Sequence, residues 1–256
     1  MSAAVSRSPR CTVQPVKVST KSTSKLEERC DMPRSVRQNA AVAKPDSRCR
    51  LMQPVIRAMT SADAANASGI LGQHFPSSSV LHRALNIEAA QWQGGDTNTL
   101  LAAAASGCSV VATHPDNATL LGCVVAWALD DGHDKPSPHT DAPDPISALL
   151  QALRQAAPAP LPGKTVHIDM AVVAPSARGR GLYRRMRETV HAQSRALGYT
   201  RVRGELSSAA TQHVCLNHFG HRMLSEVHYA SFECRNARPF ATVHTPPSIQ
   251  LVEGHV

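Results

Sequence analysis

Two hydrophobic periods alternate along residues 53–256, and together they predict an α/β protein. The clearest strand pattern is KTVHIDMAVVAP at 164–175, an apolar run interrupted by one His and one Asp. The next segment, 182–197, repeats its apolar residues at helical spacing instead, with Leu182, Met186, Val190 and Leu197 on one face. Intermixed segments of these two kinds predict a mixed central sheet of about six to seven strands flanked by helices.

Shorter patterns place the remaining elements around this strand and helix. A short strand at Val55 and Ile56 precedes a helix that begins after Thr60 and is broken by Pro76. The other predicted elements are helices over 80–92, 146–156 and 208–219, a hairpin from apolar runs at 108–112 and 119–129, and strands over 199–206, 221–232 and 248–254. Residues 130–145 are polar and rich in proline, which predicts a loop.

Charge separates the first 50 residues from the rest of the chain. Of the formal net charge of +8, residues 1–50 contribute +7, from eleven Lys and Arg against four acids. The predicted domain, 51–256, is therefore nearly neutral, and no nucleic-acid partner is predicted. Residues 1–50 lack aromatics and a sustained hydrophobic period, which predicts a disordered basic leader. The alternative is an organellar transit peptide, so the expected location is the cytoplasm by default, or a plastid or mitochondrion in that second case.

Composition also excludes several classes of protein. No apolar run approaches the roughly 18 residues that a membrane span needs, so no membrane association is predicted. The seven cysteines are an odd number with no CxxC pair, which argues against a disulfide framework and against structural zinc. No metal site is predicted.

The segment SARGRGLYRRM, 176–186, breaks local rules at the start of the predicted helix. Glycine is a poor helix former, and adjacent arginines repel each other and oppose the positive end of the helix dipole. A strand, a glycine-rich turn and a helix together form an anion-binding site, because the first amides of a helix have no intrahelical partner. A bound pyrophosphate explains both the glycines and the cations. The alternative is a plain strand-to-helix loop, and neither a P-loop nor a complete Rossmann fingerprint is present.

The stretch AVVAPSARGRGLYRRM resembles motif A of the GNAT acyltransferase superfamily, in which a strand ending V-x-P leads into [RQ]-x-x-G-x-[GA]. The resemblance extends over about residues 53–256, although Tyr183 stands at the last position of the motif, where the family has a small residue. It implies that the turn holds the pyrophosphate of acetyl-CoA, the acyl donor, and that the strand end pairs with the pantetheine arm. The cofactor-binding residues so implied are Ala171, Val172, Val173, Arg178, Gly179, Arg180, Gly181, Leu182 and Tyr183.

Residues 206–232 resemble motif B of the same superfamily, and RPFATVHTPPSIQLVEG is similar to the last strand segment of its arylalkylamine branch. The resemblance implies an N-acetyltransferase whose acceptor is a small primary amine that attacks directly. The tyrosine that often protonates the CoA thiolate in the family falls at Leu216 here. A protein or peptide N-acetyltransferase, and a CoA-binding module without catalysis, remain alternatives.

His167 and Asp169 are the candidates for general-base catalysis, which an amine of pKa about 10 requires at neutral pH. They lie two apart on the predicted strand 164–175, so strict alternation places them on one face, with Ile168 and Met170 on the other. Vertebrate serotonin acetyltransferases resemble this arrangement, with two histidines at the same spacing. The alternative role of the pair is structural.

Ser208 is a third candidate, by resemblance to the insect arylalkylamine enzymes, which have two serines four apart in motif B. Gln212 replaces the second serine in this chain. The alternative role of Ser208 is that of a helix N-cap.

Overall fold

The computed structural model describes residues 53–92, 94–129, 144–158 and 163–256. The predicted leader, 1–50, and most of the predicted loop 130–145 lie outside the described residues. Within the described part, seven strands form one mixed sheet in the order β1-β2-β3-β4-β5-β7-β6. Their bounds are Val55–Ala58 (β1), Val110–Thr113 (β2), Leu120–Leu129 (β3), Thr165–Val173 (β4), Arg201–Leu206 (β5), Arg222–His228 (β6) and Ser248–His255 (β7). The predicted α/β class and its mixed sheet are confirmed.

Neighbouring strands alternate in direction except at the centre of the sheet. β4 and β5 are parallel, whereas every other neighbouring pair is antiparallel. The helices are Ala64–Ser78 (α1), Val80–Ala84 (α2), Thr97–Ala105 (α3), Pro145–Gln155 (α4), Leu182–Ala196 (α5) and Ala209–His213 (α6). A π-helical turn, Val214–His218, continues α6. None of the described helices is both long and apolar enough to cross a membrane.

Two helices differ from the prediction because local signals were misleading. Pro76 lies inside the last turn of α1, which continues to Ser78. The Ser78 hydroxyl donates to the Phe75 carbonyl at 3.0 Å, which adds a hydrogen bond in a turn that proline weakens. The second helix is much shorter than 80–92, since α2 ends at Ala84 and Asn86 adopts a left-handed φ of 53°.

The helix α3 was not predicted at all. Its sequence, TNTLLAAAA, has no polar face that would reveal a helical period. Asp96 caps it, since its side chain accepts hydrogen bonds from the amides of Asn98 at 2.9 Å and Thr99 at 3.1 Å. The cap was the available signal, because Asp96 directly follows Gly94 and Gly95, a pair typical of a turn.

Two cores cover opposite faces of the central strands. One contains Leu71 of α1 and Leu100 of α3 with Val125 of β3. The other contains Met186 of α5 with Val124, the residue that precedes Val125 on the same strand. Successive residues of a strand point to opposite faces, so α1 and α5 lie on opposite sides of the sheet. A third core packs α4 against β7 through Leu149, Leu153, Ile249 and Leu251.

Candidate active site

β4 and β5 pair only over their first halves, and a cleft opens where they separate. The parallel pairing runs from Thr165–Arg201 to Ile168–Gly204. At this last pair the backbones are close, since a Cβ atom on Gly204 would lie 3.2 Å from the Ile168 carbonyl oxygen. Beyond the pair, a cleft of about 430 Å³ lies between the strand ends. Its volume is in the range of small-molecule sites.

A β-bulge at Asp169 reorganises β4 at the point of separation. Val125 of β3 lies opposite Met170, and the next residue, Ala126, lies opposite Ile168. Asp169 is therefore an extra residue in β4, and it lines the cleft. The bulge exchanges the faces of β4, because Ile168 packs in the core under α5 while Met170 packs in the core under α1. The expectation that Ile168 and Met170 share a face is therefore wrong.

The cleft is lined from both faces of the sheet. Phe75, Ser78 and Ser79, at the end of α1 and the start of α2, line it on one side. The glycine-rich turn and the first residues of α5 line it on the other side. Since α1 and α5 pack on opposite faces, two ligands entering from opposite sides of the sheet meet between β4 and β5.

The glycine-rich turn has the backbone conformation that its glycines predict. Gly179 and Gly181 have left-handed φ values of 73° and 69°, and Gly181 is the N-cap of α5. A Cβ atom on either glycine would have no neighbouring atom within 4 Å, so the space in front of both is open. The first amide that bonds back into α5 is that of Arg185, at 3.1 Å from the Gly181 carbonyl oxygen. The amides before it are the ones that a helix leaves for an anion.

The residues expected to bind the cofactor come together at this cleft, with one exception. The lining includes Ala171, Val172, Val173, Arg178, Gly179, Gly181, Leu182 and Tyr183. Arg180 is exposed and lies outside the lining. The Arg178 Nε atom donates to the Val173 carbonyl oxygen at 3.0 Å, so its side chain ties the turn to the end of β4.

His167 bonds to a carboxylate that the sequence did not single out. Its Nε2 atom lies 2.7 Å from Oε2 of Glu205, on the neighbouring strand β5. The other carboxylate oxygen of Glu205 accepts a hydrogen bond from Nε of Arg154, on α4, at 2.8 Å. Glu205 and Asp169 line the cleft, whereas His167 lies behind Glu205 and outside the lining.

The hydrogen bonds among His167, Glu205 and Arg154 shift the pKa values of the histidine and the carboxylate. Burial lowers the pKa of His167, but the charge and hydrogen bond of Glu205 outweigh it, and Asp169 adds to the net upward shift. Burial raises the pKa of Glu205, but His167 and Arg154 outweigh it and hold that pKa well below its usual range. Glu205 therefore remains a carboxylate, and His167 is the member of the pair whose pKa is raised.

No protein-family model and no curated protein matches this chain, but solved structures match its fold. It is similar to arylalkylamine N-acetyltransferase 2 from Aedes aegypti, with a TM-score of 0.64 and 16% identity, over 79% of this chain and 98% of that one. It is also similar to the polyamine N-acetyltransferase of Drosophila melanogaster, with a TM-score of 0.58 and 20% identity, over 79% and 100%. The C-terminal condensation domain of Ebony, in complex with beta-alanyl-dopamine, gives a TM-score of 0.66 at 12% identity, over 80% and 100%.

The chain has the GNAT fold. The identities of 12–20% extend this likeness to the fold alone, so the chemistry of the cleft has to be argued from its own residues.

Within this GNAT fold, Ser208 lies in the cleft lining and is also a helix N-cap. Its hydroxyl accepts a hydrogen bond from the Thr211 amide at 3.2 Å, so α6 begins there. Gln212, where the insect enzymes have a second serine, donates to the Leu206 carbonyl oxygen at 3.1 Å and to that of Ser248 at 2.9 Å. Gln212 thus joins the end of β5 to β7, a structural role.

The sequence did not reveal Glu205, which lines the cleft, or Arg154, which bonds to Glu205 from outside the lining. Glu205 lies at the end of YTRVRGEL, where polar residues alternate with apolar ones and a solvent-facing position is the ordinary expectation. Arg154 lies on the polar face of α4, 51 residues before it. The available signal was the single acid in a strand otherwise rich in arginine.

Proposed function

We propose that this protein is an acetyl-CoA-dependent N-acetyltransferase that acetylates a primary amine by direct attack. The observation that carries the proposal is the cleft between β4 and β5, with an anion-binding turn on one face of the sheet and two carboxylates at its centre. The Aedes and Drosophila structures, whose names give amine acetylation as their activity, support the same reaction class.

The turn that begins α5 is the proposed cofactor site. Its open glycine positions and the first amides of α5 suit a pyrophosphate, and they would hold that part of acetyl-CoA. The end of β4, from Ala171 to Val173, lines the cleft beside the turn and would flank the pantetheine arm. When bound, acetyl-CoA supplies an acetyl group activated as a thioester.

The opposite face of the cleft is the proposed amine site. A primary amine of pKa about 10 arrives as a cation, which the carboxylates of Asp169 and Glu205 attract. Phe75, Ser78 and Ser79 line the same side. An aromatic wall beside a carboxylate suits a small arylalkylamine or a similar amine, which is the acceptor class that we propose.

His167 is the proposed proton acceptor. Its Nε2 atom is engaged with Glu205, so a proton taken up by neutral His167 enters at Nδ1, and the imidazolium formed stays paired with Glu205. Asp169 lines the cleft and raises the pKa of His167 by its charge, so it is the proposed link between the amine and the imidazole. Ser208 has no catalytic role in this proposal, because its hydroxyl caps α6.

The test is a reaction of the purified protein with acetyl-CoA and a panel of arylalkylamines, polyamines and peptides with free amino termini. Mass spectrometry of the products measures acetylation of each amine. Turnover on arylalkylamines or polyamines is the expected result. Turnover on peptides alone would identify a peptide N-acetyltransferase instead, and binding of acetyl-CoA without turnover would contradict the catalytic proposal.

A further inference from the structure

A buried arginine in the cleft has no acidic partner among the residues that the structure describes. Arg187 of α5 is only 2% exposed, and no ion pair between described residues includes it. Its Nη1 atom donates to the Tyr183 hydroxyl at 2.9 Å and lies 3.4 Å from Sγ of Cys215. Its Nε atom is buried and has no hydrogen-bond partner among the described residues. A guanidinium remains charged in proteins, so this is a buried cation with a free donor.

The side chains described around Arg187 carry no charge. The rings of Tyr183 and Phe219 each lie 5.8 Å from its Cζ atom, which gives some cation–π stabilisation. Burial raises the pKa of Tyr183 to about 12, so its hydroxyl is neutral. Burial and the charge of Arg187 lower the pKa of His191 to about 3 and that of His221 to about 4, so both imidazoles are neutral too.

The arginine lies beside the proposed cofactor site. Both Arg187 and Tyr183 line the cleft, and Arg187 is six residues after the Gly181 N-cap. Side chains on a helix lean towards its N-terminus, so the guanidinium is directed towards the turn and the cleft. An anion bound there would supply the missing counter-charge.

We propose that Arg187 binds a phosphate group of the cofactor, with Tyr183 as the residue that positions its guanidinium. The inference rests on the proposed function and adds a side-chain contact to a site otherwise built from backbone amides. It also explains Tyr183, which stands where a small residue was expected. The tyrosine hydroxyl holds Nη1, and it leaves Nε and the remaining guanidinium hydrogens for the phosphate.

Calorimetric titration of the full-length protein with CoA, 3′-dephospho-CoA and pantetheine tests this contact. Arg187→Met keeps the apolar stem but removes the charge, and Arg195→Met is the control. Arg195 is an exposed arginine in the last turn of the same helix, where it donates to the Val256 carbonyl oxygen. We expect Arg187→Met to weaken CoA binding about 10- to 100-fold and to leave pantetheine binding unchanged. Arg195→Met should bind all three ligands normally.

The three ligands also distinguish the phosphates. An equal loss for CoA and dephospho-CoA assigns the contact to the diphosphate, and a loss for CoA alone assigns it to the 3′-phosphate. Normal CoA binding by Arg187→Met, or an equal loss for pantetheine, would overturn the inference. Wild-type protein that binds none of the ligands would instead contradict the proposed function itself.

A measurement on the wild-type protein keeps the test valid if Arg187→Met does not fold. The Nε–H resonance of Arg187, assigned by its loss in Arg187→Lys, is followed by NMR during addition of CoA or of pantetheine. We expect CoA to shift this resonance and pantetheine to leave it in place. A resonance that responds to neither, in protein that binds CoA, would show that Arg187 is a structural residue held by the two rings.

Discussion

The Nε2 atom of His167 lies 2.7 Å from the carboxylate of Glu205, and this bond joins β4 to β5 at the edge of the cleft. Arg154 approaches the same carboxylate from α4, so Glu205 bonds to two basic side chains. The histidine side chain is 14% exposed and that of Glu205 is 10% exposed, so solvent screens their interaction only in part. Burial lowers the pKa of His167, and the net upward shift is therefore due mainly to a residue on another strand.

Replacing Glu205 should move the pH dependence of the reaction. Since the carboxylate stabilises the imidazolium, the pKa of His167 is raised above its ordinary 6.5, and kcat/KM should rise with pH through that raised value. Glu205→Gln removes the charge, so the rising limb of the plot of kcat/KM against pH should move to lower pH. Asp169→Asn should move this limb in the same direction. Profiles taken with amines of different pKa separate the enzyme limb from the substrate limb. A limb that stays in place in both variants would show that His167 does not control it.

Removing the imidazole should cost rate rather than cofactor affinity. His167→Ala is expected to lower kcat/KM by roughly 10²–10⁴, the usual range for a positioned general base. Acetyl-CoA affinity should change little, because His167 lies outside the cleft lining. His228→Ala is a suitable control, because His228 is a half-exposed histidine on β6 that pairs with Glu226. Near-normal turnover by His167→Ala would leave the histidine a structural role.

A side chain at Gly181 should abolish cofactor binding. Gly181→Val would place a β-branched side chain in the open space where the pyrophosphate is proposed to bind. Gly198→Val is a matched control, since Gly198 has a similar φ of 82°, has open space at its Cβ position and lies outside the cleft. Both variants carry the same backbone strain, so the midpoint temperature of thermal unfolding should fall by similar amounts in the two. Calorimetry should find acetyl-CoA binding only in Gly198→Val, and normal binding by Gly181→Val would contradict the proposed site.

Two buried neutral histidines should make the protein less stable in acid. The pKa values of His191, about 3, and of His221, about 4, lie below the 6.5 of the unfolded chain. Between these values the unfolded state binds protons that the folded state does not, so the free energy of unfolding falls as the pH falls. Each histidine contributes a slope of about 1.4 kcal/mol per pH unit. His167, whose pKa is raised, adds no slope below pH 6.5, because it is protonated there in both states. Glu205, whose pKa is held low, does lower the stability at the acid end of this range, so a variant is needed to isolate the two histidines.

His221→Gln serves that purpose, because glutamine does not titrate. Urea unfolding at pH 7.5 should find the variant less stable than the wild type, since His221 packs against Phe219 and His191. The difference in free energy of unfolding between the wild type and the variant should narrow as the pH falls from 6.5 towards 4. A difference that stays constant over this range would show that His221 is already protonated, or is exposed, in the folded protein.

Deleting residues 1–50 should leave the domain folded and able to bind the cofactor. The segment carries seven of the eight net charges and no core-forming pattern, while the cores described here are built from residues 59–251. Circular dichroism and acetyl-CoA titration of the truncated chain measure the two properties. Loss of either would mean that the leader is part of the domain.

The sequence by itself determined the strands, most of the helices and the glycine-rich turn. Such features depend on local rules: burial of one face imposes a period of 2 or 3.6, and glycine adopts the left-handed φ at positions 179 and 181 at the least cost. Tertiary structure decided which side chains meet. The bulge at Asp169 reverses the faces of β4, and no period of the sequence reveals an inserted residue. Glu205 reaches His167 across 38 residues and Arg154 across 51, because strand register and helix packing place them together. The burial of Arg187 without an acidic partner among the described residues is likewise visible only in the folded structure, since an arginine on a helix is ordinarily solvated.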